Sequence, residues 1–165
     1  MSGIITLIGR TNVGKSTLFN SLTNTSNAIV IDEPGYTRDT QQGICSYNNK
    51  NFIVVDTAGL YFEENKINET IEINTFETIS ESDLILFLVD AKDGLVALDK
   101  LILEKIRKLN KKIYLVVNKI DKCKTTEEFT ELGLKNIFKI SAKNKSGVSS
   151  LADKISRSFS LPSVD

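Results

Sequence analysis

Apolar positions along the chain alternate between two kinds, short runs and helically spaced stripes. Nearly continuous apolar runs cover residues 4–8, 52–55, 84–89, 113–117 and 137–140. Runs of this length with no polar alternation predict strands covered on both faces, the pattern of a parallel sheet interior. Between them the spacing changes to that of helices. Leu18, Phe19 and Leu22 predict one helix, and Ile67, Ile71, Phe76 and Ile79 sketch another. Leu98, Leu101, Ile102, Ile106 and Leu109 form a third stripe. A short helix is expected around residues 125–132, and Val148, Leu151, Ala152, Ile155 and Phe159 mark the last. Pro162 stops that helix. Residues 43–47 add a strand joined to 52–56 by a polar turn, which predicts an antiparallel hairpin with its first member at the sheet edge. The sum is an α/β fold: a six-stranded, mostly parallel sheet, one antiparallel edge strand, and helices on both faces.

Polar clusters stand just past the carboxyl ends of four strands, at residues 9–17, 56–59, 118–121 and 141–143. In an open α/β sheet those ends share one edge, where ligands bind. The first cluster reads GRTNVGKST, a G-x-x-x-x-G-K-S loop between a strand and a helix. Gly9 and Gly14 let successive N–H groups face one anion, and the helix N-terminus points at the same place. Lys15 would reach the β- and γ-phosphates and the Ser16 hydroxyl would bind Mg²⁺. Alone, this loop serves ATP as well as GTP. Asp56 is placed to hold Mg²⁺ directly or through water, and the Gly59 N–H to approach a γ-phosphate.

The other two clusters bear on the base. The Asp121 carboxylate accepts two hydrogen bonds side by side, which guanine offers and adenine does not. Asn118 can bond the other edge of guanine or tie the two loops together. The Lys119 stem can lie across the base plane, and the Ala142 N–H can face the guanine oxygen. Residues 28–40 form a long polar connection around Pro34-Gly35, in which Thr37 and Thr40 are hydroxyls able to reach a metal.

Composition narrows the chemistry. The 165 residues suggest one domain, and no apolar run has the length of a membrane span. Nothing before Ile4 resembles a signal peptide. The two cysteines, Cys45 and Cys123, show no metal spacing and are expected as reduced cytosolic thiols. There is no histidine, which excludes Ser-His-Asp and Cys-His mechanisms and His-ligated zinc. Charge is zero overall but lopsided. Residues 1–90 carry 5 basic and 12 acidic groups, and residues 91–165 carry 16 and 9. The basic half could face RNA or an acidic partner, or be a solvated lysine-rich surface.

With these residues in place the chain resembles the translation-factor-class GTPases of the Era/Der/MnmE group. GRTNVGKST, PGYTRD, DTAG, NKID and SAK carry the likeness. The wording of AIVIDEPGYTRDTQQG, ESDLILFLVDAKDGL and ELGLKNIFKISAKNKSGVSSLADKI is most similar to first GTPase domains of the Der (EngA) family. Those proteins carry two GTPase domains and a KH-like domain and act in large-subunit assembly. The resemblance implies a three-layer P-loop NTPase of the small-GTPase kind over residues 1–160. Residues 161–165 would begin a linker in a longer, multi-domain, cytoplasmic, monomeric protein. It implies GTP hydrolysis in 50S assembly, with Mg²⁺, GTP and GDP, and contact with the 50S subunit or rRNA through other domains. Two other readings stay open: a nucleotide-sensing module with negligible hydrolysis, and an Era-like or MnmE-like protein acting on 16S rRNA or in tRNA modification.

Residue by residue, the resemblance has Asn12, Val13, Gly14, Lys15, Ser16 and Thr17 cradle the phosphates. Thr37 becomes the switch threonine that meets Mg²⁺ and the γ-phosphate, Asp56 a metal holder, and Gly59 a γ-phosphate contact. Asn118, Lys119 and Asp121 read guanine, helped by Ser141, Ala142 and Lys143. Asn12 would help bind an activating K⁺. Two positions depart from the pattern: Thr11 stands where proline is usual, and Asp-Thr-Ala-Gly replaces the frequent Asp-Thr-Gly-Gly. Leu60 occupies the place where many GTPases carry a water-orienting Gln. Slow intrinsic hydrolysis is therefore expected, raised by K⁺, a partner or the ribosome. Arg10 and Arg38 are candidates for a charge-stabilising arginine, weighed against a structural or solvent-facing role.

Overall fold

The structure is a computed structural model that describes residues 3–10, 12–23, 28–29, 41–57, 79–122 and 126–159. Its strands are β1 (Gly3–Ile8), β2 (Ala28–Ile29), β3 (Gln41–Tyr47), β4 (Lys50–Asp56), β5 (Leu84–Asp90), β6 (Lys112–Asn118) and β7 (Ile137–Lys139). They form one sheet in the order β2-β3-β4-β1-β5-β6-β7. β4, β1, β5, β6 and β7 are parallel, and β3 runs antiparallel to both its neighbours. The six expected strands are all present. The two-residue β2 adds a seventh, pairing Ala28 with Gly43 and Ile29 with Gln42, so β3 is covered along part of its outer edge. β2 opens a four-residue apolar run, Ala28-Ile29-Val30-Ile31, at the start of the long polar connection.

The β3–β4 hairpin is tighter than its sequence suggests. Tyr47 pairs with Lys50, so only Asn48 and Asn49 turn the chain. Both sit in the left-handed region, at φ 52° and 62°. Asparagine tolerates that conformation, and two such residues match the twist of the flanking strands. The turn is held to the last helix: Asn48 Nδ2 donates to Asp153 Oδ1 (3.3 Å) and Lys50 Nζ to the Ser156 carbonyl (2.8 Å).

Alternation along the strands splits the core into two layers. Ile5, Leu7, Val54, Leu84, Leu86, Leu88 and Val116 face one side with Leu18, Phe19, Leu151 and Ile155. Those partners come from α1 (Lys15–Thr23) and α3 (Val148–Ser158). Ile8, Ile85, Phe87, Val89, Leu115 and Val117 face the other side with Ile102, Leu103, Ile106 and Phe129. These belong to α2 (Ala97–Arg107) and to a 3₁₀ segment, Glu127–Leu132. Every residue of β5 is buried, as its continuous apolar run requires. The expected three-layer architecture is thus present, with boundaries within a few residues of those read from periodicity. Ile79 of the helix sketched over residues 67–79 is buried in the second layer, and the rest of that helix lies outside the described residues. Among the described residues no helix is long and apolar enough to cross a membrane.

Candidate nucleotide site

Three of the polar clusters meet at the carboxyl edge of the sheet through direct bonds, and Asp56 joins them through Ser16. β1 delivers residue 9 and α1 begins at Lys15, so residues 9–14 make the turn between them. Gly14 has φ +98°, and a Cβ there would stand 2.1 Å from Asn118 Nδ2. Only glycine satisfies both conditions. Lys15 is buried beneath the loop, where its Nζ donates to the carbonyls of Gly9 (2.5 Å) and Arg10 (3.1 Å). Burial lowers the Lys15 ammonium from its usual 10.5 to about 8, against the raising effect of Asp56; Arg10 lowers it further. A phosphate here would supply the negative charge that a buried ammonium needs.

Asp56 ends β4 and is fully buried, and its Oδ2 accepts the Ser16 hydroxyl at 3.3 Å. The neighbouring Thr57 hydroxyl donates to the Leu7 carbonyl (2.6 Å), fixing the end of β4 to β1. A carboxylate and a hydroxyl side by side are hard oxygen donors. Their separation suits adjacent positions around Mg²⁺, whose ligands stand about 2 Å from the ion. The residues present therefore fit that ion. Thr37 and Gly59, the other expected phosphate and metal contacts, lie outside the described residues, as do Thr11, Arg38, Thr40, Leu60 and Cys123.

Asn118, the last residue of β6, is 3 % exposed. Its Nδ2 donates to the Val13 carbonyl (2.8 Å) and its Oδ1 accepts the Ala142 N–H (2.9 Å). Of the two roles open to it from the sequence, the structure shows the tie between loops. The same bond commits the Ala142 N–H to Asn118 instead of leaving it facing outward. Ser141 exchanges backbone hydrogen bonds with Ser146, and its hydroxyl accepts the Asn144 N–H (3.4 Å), so it shapes the turn. Lys119 has φ 64°, and its Nζ donates to the Asn12 carbonyl and to Asp90 Oδ2, both at 2.8 Å. Asp121 is exposed on the short 3₁₀ turn Ile120–Lys122, with no hydrogen bond to its carboxylate among the described residues.

These pieces border a cleft of about 330 Å³ lined by Gly14, Thr17, Asn118, Lys119, Asp121, Ser141 and Lys143, and also by Lys92 and Lys122. A larger hollow of about 490 Å³ lies beside β7, lined by residues such as Thr126, Phe138 and Ser150. None of the residues expected from the sequence lines it. Asn12 and Val13 belong to the phosphate loop, Asn12 exposed and Val13 fully buried.

Arg10 turns away from this cleft. Its Nε meets Asp99 Oδ1 (3.3 Å) and its terminal nitrogen meets Asp93 Oδ2 (3.0 Å). Of its two expected roles the structure shows the structural one. The Asp90 carboxylate has no counterpart among the residues expected from the sequence, where it is only the residue that follows the apolar run 84–89. A carboxylate closing a buried strand beside β6 is the signal that marks it, the same signal that singled out Asp56.

A family model described as 50S ribosome-binding GTPase matches residues 4–119. Curated relatives include GTPase Der of Legionella pneumophila (strain Lens), 43% identical over 162 residues, with 96% of this chain and 35% of that protein covered. GTPase Der of Buchnera aphidicola subsp. Schizaphis graminum is 49% identical over 158 residues, with 93% of this chain and 35% of that protein covered. The chain thus spans about a third of the length of these curated relatives. Among solved structures, an Aquifex aeolicus Era variant bound to GDP·AlF4⁻ aligns with a TM-score of 0.76 at 30% identity, covering 99% of this chain and 58% of that one. The G domain of the Thermotoga maritima iron transporter FeoB aligns with a TM-score of 0.76 at 25% identity, covering 96% and 98%. The motifs, their convergence and the match over residues 4–119 agree: the chain belongs to the 50S ribosome-binding GTPase family.

Proposed function

We propose that this chain is a guanine-nucleotide switch domain that hydrolyses GTP in the service of large ribosomal subunit assembly, as part of a Der-like protein. The observation that carries the reading is the Asn118 side chain. It joins the phosphate loop at Val13 to the turn at Ala142, so the phosphate and base motifs form one surface. Asp121 borders the same cleft, where its carboxylate can accept from the N1–H and exocyclic amine of guanine. Identity favours Der over Era: 43% and 49% for the two Der proteins against 30% for the Era structure.

In this reading Gly14, Lys15, Ser16 and Thr17 hold the phosphates, with Asn12 and Val13 forming the turn above them. Lys15 supplies a positive charge from a buried position, where it acts at low dielectric. Ser16, Thr37 and Asp56 would hold Mg²⁺, which when bound neutralises phosphate charge. Gly59 would meet the γ-phosphate. Lys119, Asp121 and Lys143 face the base, while Asn118, Ser141 and Ala142 act by fixing the frame around it. Leu60 and the absence of histidine leave no side chain of the usual kind to orient water, so intrinsic turnover is slow and an activator raises it. K⁺ held near Asn12 is one such activator and the ribosome another. The protein works in the cytoplasm.

Nucleotide binding with Asp121→Asn tests the base assignment. Wild type should prefer GDP and GTP over ATP, and the variant should shift toward xanthine nucleotides, whose second carbonyl meets the new amide. Guanine preference surviving the change would refute the assignment. Multiple-turnover phosphate release, in Na⁺ and K⁺ and with and without 50S subunits, separates a hydrolysing switch from a module that only senses nucleotide.

A further inference from the structure

We propose that Asp90 is a positioning residue for the base site, holding Lys119 against the phosphate loop before nucleotide arrives. This deepens the guanine-nucleotide reading above and rests on it. Asp90 closes β5, is 1 % exposed, and stands opposite Asn118 of β6 in the sheet register. Its Oδ2 accepts the Lys119 ammonium at 2.8 Å, and the same ammonium donates to the Asn12 carbonyl at 2.8 Å. Its Oδ1 accepts the N–H groups of Lys92 (2.8 Å) and Asp93 (3.3 Å), and Asp93 in turn grips Arg10 of the phosphate loop. One buried carboxylate therefore fixes a lysine of the base motif and the loop that reaches the phosphate motif from the other side.

The physics supports a role beyond closing a strand. A buried carboxylate is costly unless it is paired and fully hydrogen-bonded, and this one is both. Burial disfavours its charge, but the Lys119 bond and the two backbone N–H groups outweigh that and hold it below the usual carboxylate range. A free lysine has many rotamers, and that freedom would be lost on packing against a base. Here the tether between Asp90 and Asn12 has already removed it, which leaves more of the contact for affinity. Lys119 keeps about one-third of its side chain exposed while its ammonium is held by Asp90 and the Asn12 carbonyl.

The test compares wild type, Asp90→Asn, Lys119→Met and the double variant by GDP affinity and steady-state hydrolysis. Asparagine keeps an oxygen for the Lys92 and Asp93 N–H groups and removes the charge facing Lys119. The expected result is a rise in Kd and KM of roughly tenfold or more, with kcat within about twofold and a double variant no weaker than Lys119→Met alone. Unchanged affinity in Asp90→Asn, or losses that add, would overturn the proposal. Wild type that fails to bind guanine nucleotide at all would refute the functional reading itself, a separate outcome. If Asp90→Asn does not fold, nitrogen-detected NMR of wild type decides: the Lys119 ammonium should be protected from solvent exchange in nucleotide-free protein, and rapid exchange would overturn the assignment.

Discussion

The Asn118 amide occupies the space that any side chain on Gly14 would need. A Cβ on Gly14 would lie 2.1 Å from Asn118 Nδ2, in a backbone conformation of φ +98° that other residues avoid. The glycine of the phosphate loop is therefore required by the base motif as well as by the phosphates. Gly14→Ala should displace Asn118, break its bonds to Val13 and Ala142, and strain the loop. The combined cost is about 2–4 kcal/mol of stability, with GDP affinity falling by more than tenfold. Urea denaturation and calorimetric titration of GDP measure the two effects. A variant that kept wild-type stability and affinity would show that the loop has room the structure does not.

Lys15 makes nucleotide binding pH-dependent in a direction that follows from its lowered value. Burial has brought the ammonium from 10.5 to about 8 in the nucleotide-free protein. Between about 8 and 10.5 the folded protein binds fewer protons here than the unfolded chain does. The contribution of this group to stability is thus unfavourable below about 8 and is relieved as pH rises through that window. A bound phosphate reverses the position by stabilising the charged form. GDP binding near pH 8 should take up a fraction of a proton, and affinity should fall as pH rises further. Titration calorimetry at pH 8 in buffers of different ionisation enthalpy measures the uptake directly. Proton release instead of uptake would exclude Lys15 as the phosphate-facing charge.

Much of this arrangement was legible in the sequence, for a definite reason. Period and run length fix which residues form strands, and a parallel sheet then fixes where the strand ends go. That placed residues 9–17, 56, 118–121 and 141–143 on one edge, where the structure has them. Bonding partners are another matter, because they depend on distances between segments that are not neighbours in the sequence. The sequence allowed Asn118 to face guanine or to tie loops, and only the 2.8 Å and 2.9 Å bonds decide between them. Asp90 was hidden because a charged residue ending an apolar run reads as a strand boundary, and its significance appears only when β6 brings Lys119 alongside. The turn at Asn48 and Asn49 looks longer in the sequence because asparagine marks a turn without revealing how many residues adopt positive φ. Ala28-Ile29-Val30-Ile31 is an apolar run as long as the one at residues 52–55, but the polar residues and the Pro34-Gly35 turn that follow make it read as part of a connection; Ala28–Ile29 pairs with the β3 edge.

Arg10 is the hinge between the phosphate loop and α2, and its removal should act on stability before chemistry. Its guanidinium meets Asp99, whose side chain is fully buried, and Asp93, which is exposed. Asp99 Oδ2 also accepts the Val96 N–H at 3.1 Å, closing the first turn of α2. Burial raises the Asp99 carboxyl above its usual value, even though the Val96 N–H and Arg10 both favour its charge. An acid whose folded value is raised binds more protons folded than unfolded, so its charge costs stability progressively as pH rises past the ordinary value of 3.8. Arg10→Ala would leave that buried charge without its cation and should cost about 2–4 kcal/mol at neutral pH. Asp99→Asn keeps an oxygen for Val96 and removes the charge, so it should cost less than about 1 kcal/mol. The double variant should resemble Asp99→Asn and fall well short of the sum, since the cation is needed only while the carboxylate is there. Urea denaturation of the four proteins at pH 7 supplies the cycle. An additive result would mean that Arg10 stabilises the loop through Asp93 and its own backbone, with Asp99 incidental.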